Sequence, residues 1–361
     1  MKIAFIRKRF DPFGGAENYL NSLIKDLINE NHDIYLISGN WPNLPNIKHI
    51  KVSTGGGFNR QVETAIKAIN PQCSISFERT LTQDIYRAGD GCHRSWLQLR
   101  SRYLEKGWKS FFFKINPKHL RILKTEQHIF TETPVIVANS DMVKTQIIEH
   151  YAIPSHKIHV VYNGVDTTRF TPVNKSLYKD EIRKGLDLDS KQPVILFLGS
   201  GYQRKGLKTL LKAMTYIDKS VVAIVAGKGD IDKYKRYAAK LGLSNRIVFA
   251  GAVQQSEKFY AACDLFVLPT IYDPFSNATL EAMSSALPVI TSRYNGASEI
   301  ITSGQEGEVL QEVIDYHELA QKITKILANK SQMSIAARKK AESYTLSKSS
   351  KILLHIIYNG V

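Results

Sequence analysis

Cysteine is scarce. The chain has three in 361 residues, Cys73, Cys92 and Cys263, set far apart with no CxxC and no His/Cys ligand spacing. That excludes a disulfide framework, argues against zinc and fits a reducing compartment. A catalytic cysteine is one reading; buried filler is the better one for Cys73 and Cys263. Long apolar runs are also lacking, and none approaches the ~20 residues a membrane span needs. The opening "MKIAFIRKRF" does not read as a signal peptide, because Arg7, Lys8 and Arg9 break its apolar stretch at once. The expectation is a cytoplasmic protein that can still lie on a membrane. Neither GxGxxG nor GxxxxGK[ST] occurs, which leaves a plain NAD or P-loop reading unsupported. No repeat in the ~20–50-residue range is visible, and no DxD-like acidic cluster offers itself to a divalent metal.

Acids are in deficit. Against 49 Lys and Arg stand 33 Asp and Glu, for a net charge of +16. Such an excess favours an anionic partner: nucleic acid, a phospholipid surface or a phosphorylated substrate. Residues 94–124 hold nine of the cations and one acid, Glu105, so this segment alone carries half the net charge. Its cations interleave with Trp96, Trp108, Phe111, Phe112 and Phe113. A solvated basic face explains the cations, but not three consecutive Phe beside Trp108. Burial in the core is one account of them. The other is an interfacial segment, with aromatics entering the headgroup boundary while Lys106, Lys109, Lys114 and Lys118 meet anionic lipid.

Apolar runs without alternation recur along the chain: "KIAFI", "DIYLIS", "PVIVANS", "KIHVV", then "PVILFLG", "SVVAIVAG", "RIVFAGAV", "DLFVLPT" and "LPVITS". Amphipathic stretches separate them, and the C-terminal "SKSSKILLHIIYN" reads as a final helix. Strands buried on both faces and alternating with helices predict parallel, doubly wound sheets. The pattern restarts after "YNGVDTTRFTPVNK", so two Rossmann-like halves are expected, with the boundary in that Asn, Gly, Thr and Pro cluster.

Ligands in such sheets sit beyond the carboxyl ends of strands. After the first strand comes "DPFGGAEN", where Gly14 and Gly15 let backbone approach an anion; an ordinary βα turn would look the same. After "PVILFL" comes "GSGYQRKGL". Arg204 and Lys205 there suit a diphosphate, Arg by forking onto its oxygens and Lys as a point charge, although a solvated basic turn is an equal account. After "DLFVLPT" comes "DPFSNATLEAMSSALPVITS". Phe275, Ser276, Asn277 and Ala278 lead into a helix start, a ready phosphate site. Asp273 precedes it and Glu281 follows eight positions on. Carboxylates suit sugar hydroxyls and a ribose diol, so the combination describes a nucleotide-sugar site. The helix dipole would explain Asp273 without a ligand, but not Glu281.

This stretch resembles the [ED]-x7-E motif of the GT-B retaining glycosyltransferases of family 4. Supporting segments occur in the family's order: "DPFGGAEN", "VANSDMVKTQIIEHYAIPSHKIHVVYNGVDTTRF", "FLGSGYQRKGL", "VAGKGD", "RIVFAGAV" and "AACDLFVLPT". The resemblance spans nearly the whole chain, and "YRAGDGCHRSWLQLRSRY" looks most like the lipopolysaccharide core glucosyltransferase I type. It implies an α/β GT-B fold, two Rossmann-like domains facing a cleft, with residues 1–168 plus a returning helix at 342–361 on the acceptor side. Residues 169–341 would bind the nucleotide sugar. Gly14 and Gly15 would face the donor diphosphate, Arg204 and Lys205 would neutralise it, Asp273 would hold the transferred sugar, Glu281 the ribose, and backbone near Val253 the base. Asp90 matches the acidic residue of the acceptor side, with His93 a second candidate there, as base, sugar ligand or structural histidine.

Two positions depart from the family pattern. Asp273 replaces the commoner Glu and reaches one methylene less far. Ser200 stands where many relatives carry Arg. The implied activity is retaining, metal-independent transfer of a hexose, glucose from UDP-glucose, to a lipid-linked saccharide such as the lipopolysaccharide inner core. No cofactor is expected beyond the donor, and the implied location is the inner face of the cytoplasmic membrane. UDP-galactose, UDP-GlcNAc or GDP-mannose fit the same backbone contacts, and a GT-B epimerase would share the fold. A nucleic-acid partner is not expected, since no nucleic-acid-binding module appears.

Overall fold

The computed structural model describes residues 1–10, 15–29, 31–42, 45–104 and 116–359. Gly14, Lys106, Trp108, Lys109, Phe111, Phe112, Phe113 and Lys114 lie outside the described residues. The chain forms two units, 1–164 with 346–361, and 165–345. The divisions fall at Gly164/Val165 and Thr345/Leu346, against the expected 168/169 and 341/342.

The first unit carries a seven-stranded sheet: β1 (Lys2–Ile6), β2 (Asp33–Ser38), β3 (Ile47–Lys51), β4 (Cys73–Ser76), β5 (Ile85–Ala88), β6 (Val135–Ala138) and β7 (Ile158–Val160). Their order is β3-β2-β1-β4-β5-β6-β7 and every pairing is parallel. Strand β1 shows why both faces are apolar. Ile3 and Phe5 enter one core with Leu20, Leu23 and Leu27, while Ala4 and Ile6 enter another with Val62 and Phe58. That is the period of two of a strand covered on both sides. The C-terminal helix, Leu346–Asn359, belongs to this unit. It sets Leu353, Leu354, Ile356 and Ile357 into the core beside the helix Gly15–Asn29.

The second unit has six parallel strands: β8 (Val194–Leu198), β9 (Val222–Ala226), β10 (Ile247–Gly251), β11 (Leu265–Leu268), β12 (Val289–Ser292) and β13 (Gly307–Leu310). Their order is β10-β9-β8-β11-β12-β13. The chain winds outward from β8 to β10, then returns to the other side of β8 at β11. The winding therefore reverses between β8 and β11, and ligands in such sheets usually sit beyond the carboxyl ends of the strands at that point.

All three cysteines are buried. Burial pushes the Cys73 thiol up to about 12, and the Cys92 and Cys263 thiols upward also. None carries the thiolate a nucleophile needs. Among the described residues, no helix is long and apolar enough to cross a membrane.

Candidate functional site

The loops after β8 and β11 are stitched together. Gly206 has φ +79°, and a Cβ there would lie 1.9 Å from the Pro269 carbonyl oxygen, so only glycine allows the two backbones this close. The Arg204 carbonyl accepts from Ile271 N (2.8 Å) and Thr270 Oγ1 (3.1 Å), and Arg204 Nη1 donates to the Tyr272 carbonyl at 2.8 Å. Lys205 Nζ donates to Asp273 Oδ2. Lys205 and Asp273 are buried and Arg204 is half-buried, so Lys205 is not the solvated turn residue that the sequence leaves open. Burial pushes the Lys205 ammonium down from its usual value; the Asp273 charge opposes the shift and Arg204 reinforces it.

Behind Asp273 the chain is held by Asn295, which is fully buried. Asp273 N donates to the Tyr294 carbonyl and its own carbonyl accepts from Gly296 N, both at 2.9 Å. Asn295 Oδ1 accepts from Ser276 N (3.0 Å) and Ala297 N (3.1 Å), while Nδ2 donates to Thr291 Oγ1 (2.8 Å) and Thr279 Oγ1 (3.3 Å). Ser276 then caps the helix Asn277–Ser284, its hydroxyl accepting from Thr279 N at 3.3 Å. One side chain thus ties the end of β12 to the start of this helix. Phe275 and Ser276 are buried; Asn277 and Ala278 are half-buried at the helix start, where backbone N–H groups and the helix dipole favour an anion.

Glu281 is the fifth residue of that helix and half-buried. Its Oε2 accepts from the Tyr260 hydroxyl at 2.9 Å. Burial pushes this carboxyl up, while the Tyr260 hydroxyl and the Arg169 charge pull it back. Arg169 itself is engaged with Glu257, Nη2 to Oε2 at 2.8 Å. Val253 is half-buried in the loop after β10. The loop after β9 packs closely as well: Gly227 has φ +117°, a Cβ there would meet the Gly199 carbonyl oxygen at 2.3 Å, and its own carbonyl accepts from the Tyr202 hydroxyl at 2.7 Å.

In the first unit, Gly15 opens the helix Gly15–Asn29. Asp90 stands in the loop after β5 with its side chain 61% exposed, and Arg79 Nη1 reaches its Oδ2 at 3.2 Å. Arg79 is in turn held by Glu126, through Nη2 at 3.0 Å and Nε at 3.2 Å. Glu126 is fully buried and also accepts from the Tyr151 hydroxyl (2.8 Å) and from the backbone N of His93 (2.9 and 3.0 Å). It therefore caps the helix His93–Tyr103 from another element. Its role is invisible in "RILKTEQHIF", where it reads as part of a solvated face.

His93 does not stand alone beside Asp90. Its Nε2 lies 3.0 Å from His119 Nδ1, and its pKa is lowered from 6.5 to about 4 by burial, by Arg79 and by His119. A neutral ring this weakly basic is a poor general base near pH 7. Trp96 is half-buried with Arg100 over its ring, whereas Lys118 is exposed at the start of the helix Pro117–Glu132, near Leu120, which is 51% exposed.

Known proteins share the family and the fold. Residues 178–344 match the family model of the glycosyl transferases group 1, and residues 89–169 match glycosyltransferase family 4. The chain belongs to these glycosyltransferases and has their GT-B fold. Over 360 residues it is 20% identical to the lipopolysaccharide glucosyltransferase WaaG of Escherichia coli (strain K12), covering 95% of this chain and 94% of that one. An uncharacterized glycosyltransferase of Methanocaldococcus jannaschii is 25% identical over 338 residues, 83% of each chain. Among solved structures, WaaG aligns with a TM-score of 0.84 at 19% identity over 99% of this chain and 100% of that one. HepE of Anabaena, in complex with UDP-glucose, aligns with a TM-score of 0.79 at 19% identity over 99% of each.

Proposed function

We propose that the protein is a retaining hexosyltransferase that moves glucose from UDP-glucose to a hydroxyl of a lipid-linked saccharide of the lipopolysaccharide inner-core type. One observation supports this reading: the buried Lys205–Asp273 pair, the helix start at Ser276 and the Glu281 carboxylate follow the carboxyl ends of the adjacent strands β8 and β11. Cations and helix N–H groups suit a diphosphate, and carboxylates suit hydroxyls. The glucosyl donor and lipopolysaccharide acceptor come from what WaaG is named for and from the UDP-glucose bound to HepE.

In this scheme Glu281 accepts from the ribose hydroxyls, backbone near Val253 meets the base, and Asp273 accepts from a hydroxyl of the transferred sugar. The bond between the anomeric carbon and the β-phosphate oxygen breaks, its electron pair leaving with UDP through an oxocarbenium-like transition state. The acceptor oxygen forms its bond to that carbon on the same face, and its proton passes to the departing phosphate. Arg204, Lys205 and the helix start stabilise the charge that grows on UDP. Those cations and N–H groups do this without a metal or cofactor. Asp90, held by Arg79, receives an acceptor hydroxyl. Residues 94–124 rest on the anionic inner face of the cytoplasmic membrane, which brings the lipid-linked acceptor within reach.

The test is a donor panel of UDP-glucose, UDP-galactose, UDP-GlcNAc and GDP-mannose, with and without a lipid-linked saccharide, read by mass spectrometry. Acceptor-dependent UDP release with a hexose-extended product is expected from UDP-glucose. Turnover with another donor alone corrects the sugar. An epimerised nucleotide sugar formed without acceptor rejects the transferase reading.

A further inference from the structure

We propose that Tyr260 is a positioning residue for nucleotide recognition: its hydroxyl fixes the Glu281 carboxylate in the orientation that accepts from a vicinal diol, and so makes the site selective for a ribonucleoside diphosphate. This rests on the reading of Glu281 as the ribose-binding acid.

A glutamate turns about three side-chain bonds, and an unrestrained carboxylate pays rotamer entropy each time a ligand orders it. Among the described residues, the Tyr260 hydroxyl is the donor that reaches Glu281, at 2.9 Å. It takes one lone pair of Oε2 and leaves Oε1, with the remaining lone pair of Oε2, for two further donors. The tyrosine cannot follow a wandering partner. It is fully buried on the helix Ser256–Ala262, with Phe170 edge-on at 5.7 Å and Phe266 at 6.0 Å. A rigid ring locked by packing thus hands its rigidity to a flexible acid.

A buried tyrosine needs some partner for its hydroxyl, and the Ala278 carbonyl at 3.1 Å supplies one without Glu281. The hydroxyl has a single hydrogen, however. The carboxylate is both nearer and charged, which makes it the stronger acceptor. Other charges face the same place. Arg169 acts on Glu281 and on Tyr260, Glu257 opposes ionisation of Glu281, and the Cys263 thiol adjoins Tyr260. Arg169 is already engaged by Glu257 through Nε at 3.0 Å and Nη2 at 2.8 Å, so it supplies field rather than orientation.

The experiment measures calorimetric affinities of the full chain for UDP and for 2′,3′-dideoxy-UDP. Wild type, Tyr260→Phe, Glu281→Gln and the double variant are compared, with thermal melts as a folding control. Wild type should prefer UDP. Tyr260→Phe should lose about tenfold of that preference, the worth of a hydrogen bond to a charged group, while binding the dideoxy nucleotide as wild type does. In the Glu281→Gln background the tyrosine substitution should do nothing further. Removing the hydroxyl also removes a donor that favours the ionised carboxylate, so the fall of UDP affinity on acidification should begin at higher pH in Tyr260→Phe. If Tyr260→Phe melts early, Glu281→Asp, which withdraws the acid from the same hydroxyl, must show the same loss. Full diol preference in a folded Tyr260→Phe overturns the proposal and leaves the Glu281 reading intact. No diol preference in wild type overturns both.

Discussion

Replacing Lys205 by alanine separates two effects that are superimposed at this site. Its side chain is 11% exposed and that of Asp273 is 9% exposed. Loss of the ammonium leaves a buried carboxylate without a counterion, a change that costs ~3–5 kcal/mol when one partner of a buried pair is removed. The second unit spans residues 165–345; for a domain of that size each kcal/mol moves the melting temperature by about 2–4 °C. Lys205→Ala should therefore lower the transition of this unit by roughly 6–20 °C and abolish turnover. Lys205→Met combined with Asp273→Asn removes both charges. It should recover most of the lost stability, because no charge is left unpaired, and none of the turnover. Among the described residues, the Arg204 side chain donates to the Tyr272 carbonyl at 2.8 Å, so Arg204→Ala should shift melting by only a few degrees while cutting turnover by about a hundredfold. Differential scanning calorimetry and a UDP-release assay read both quantities. If Lys205→Ala melts as wild type does, the buried-pair account is wrong; if the double variant stays as unstable as the single, the cost does not come from an orphaned carboxylate.

Three other perturbations have definite expected outcomes. Asn295→Ala strips acceptors from the buried N–H groups of Ser276 and Ala297 and should cost roughly 2–4 kcal/mol in chemical denaturation and weaken UDP binding, whereas Asn295→Asp, which keeps the acceptor oxygen, should lose less. His93 is held neutral in the fold, its pKa moved from 6.5 to about 4, so its share of stability is present above pH 6.5 and is lost as pH falls toward 4. Allowing for solvent screening at a half-buried ring, His93→Asn should flatten the stability profile across that window by about 1–2 kcal/mol; an unchanged slope in urea titrations at pH 4–7 rejects the assignment. Co-sedimentation with anionic vesicles should be strong at low salt, and weakened by salt and by neutralising Lys106, Lys109, Lys114 and Lys118; wild type ignoring such vesicles removes the membrane reading.

How much of this was legible follows from chemistry along the chain. Strands whose residues are nearly all apolar, such as "KIAFI" and "PVILFLG", announce themselves. Of the four strands the sequence does not reveal, β4 (CSIS) carries buried serines, and the other three carry larger polar residues with a structural reason. Strand β3 (IKHIK) is a sheet edge with His49 and Lys51 exposed. Strand β5 (IYRA) buries Arg87 against the rings of Tyr19 and Phe77. Strand β13 (GEVL) buries Glu308, which Lys322 and Lys325 neutralise from a neighbouring helix. The site divides the same way. Asp273 and Glu281 are readable because acids around a helix start suit a particular ligand. Asn295 and Tyr260 are not, because "RYNGAS" reads as a turn and "EKFYAA" as a core-facing helix until their partners are placed.

The return of the helix Leu346–Asn359 to the first unit sets the order in which the protein matures on the ribosome. Residues 165–345 form a contiguous unit and can fold as soon as they emerge. The first unit cannot, although it is made first, because Leu353, Leu354, Ile356 and Ile357 of its core arrive last. At ~5–20 residues per second, translation of the intervening stretch leaves the nascent N-terminal sheet waiting roughly 10–35 s for its covering helix. During that interval the apolar surface of the helix Gly15–Asn29 is open to chaperones and to neighbouring nascent chains. The N-terminal unit is thus the later to mature, and truncation or delayed synthesis at the C-terminus strikes the opposite end of the sequence.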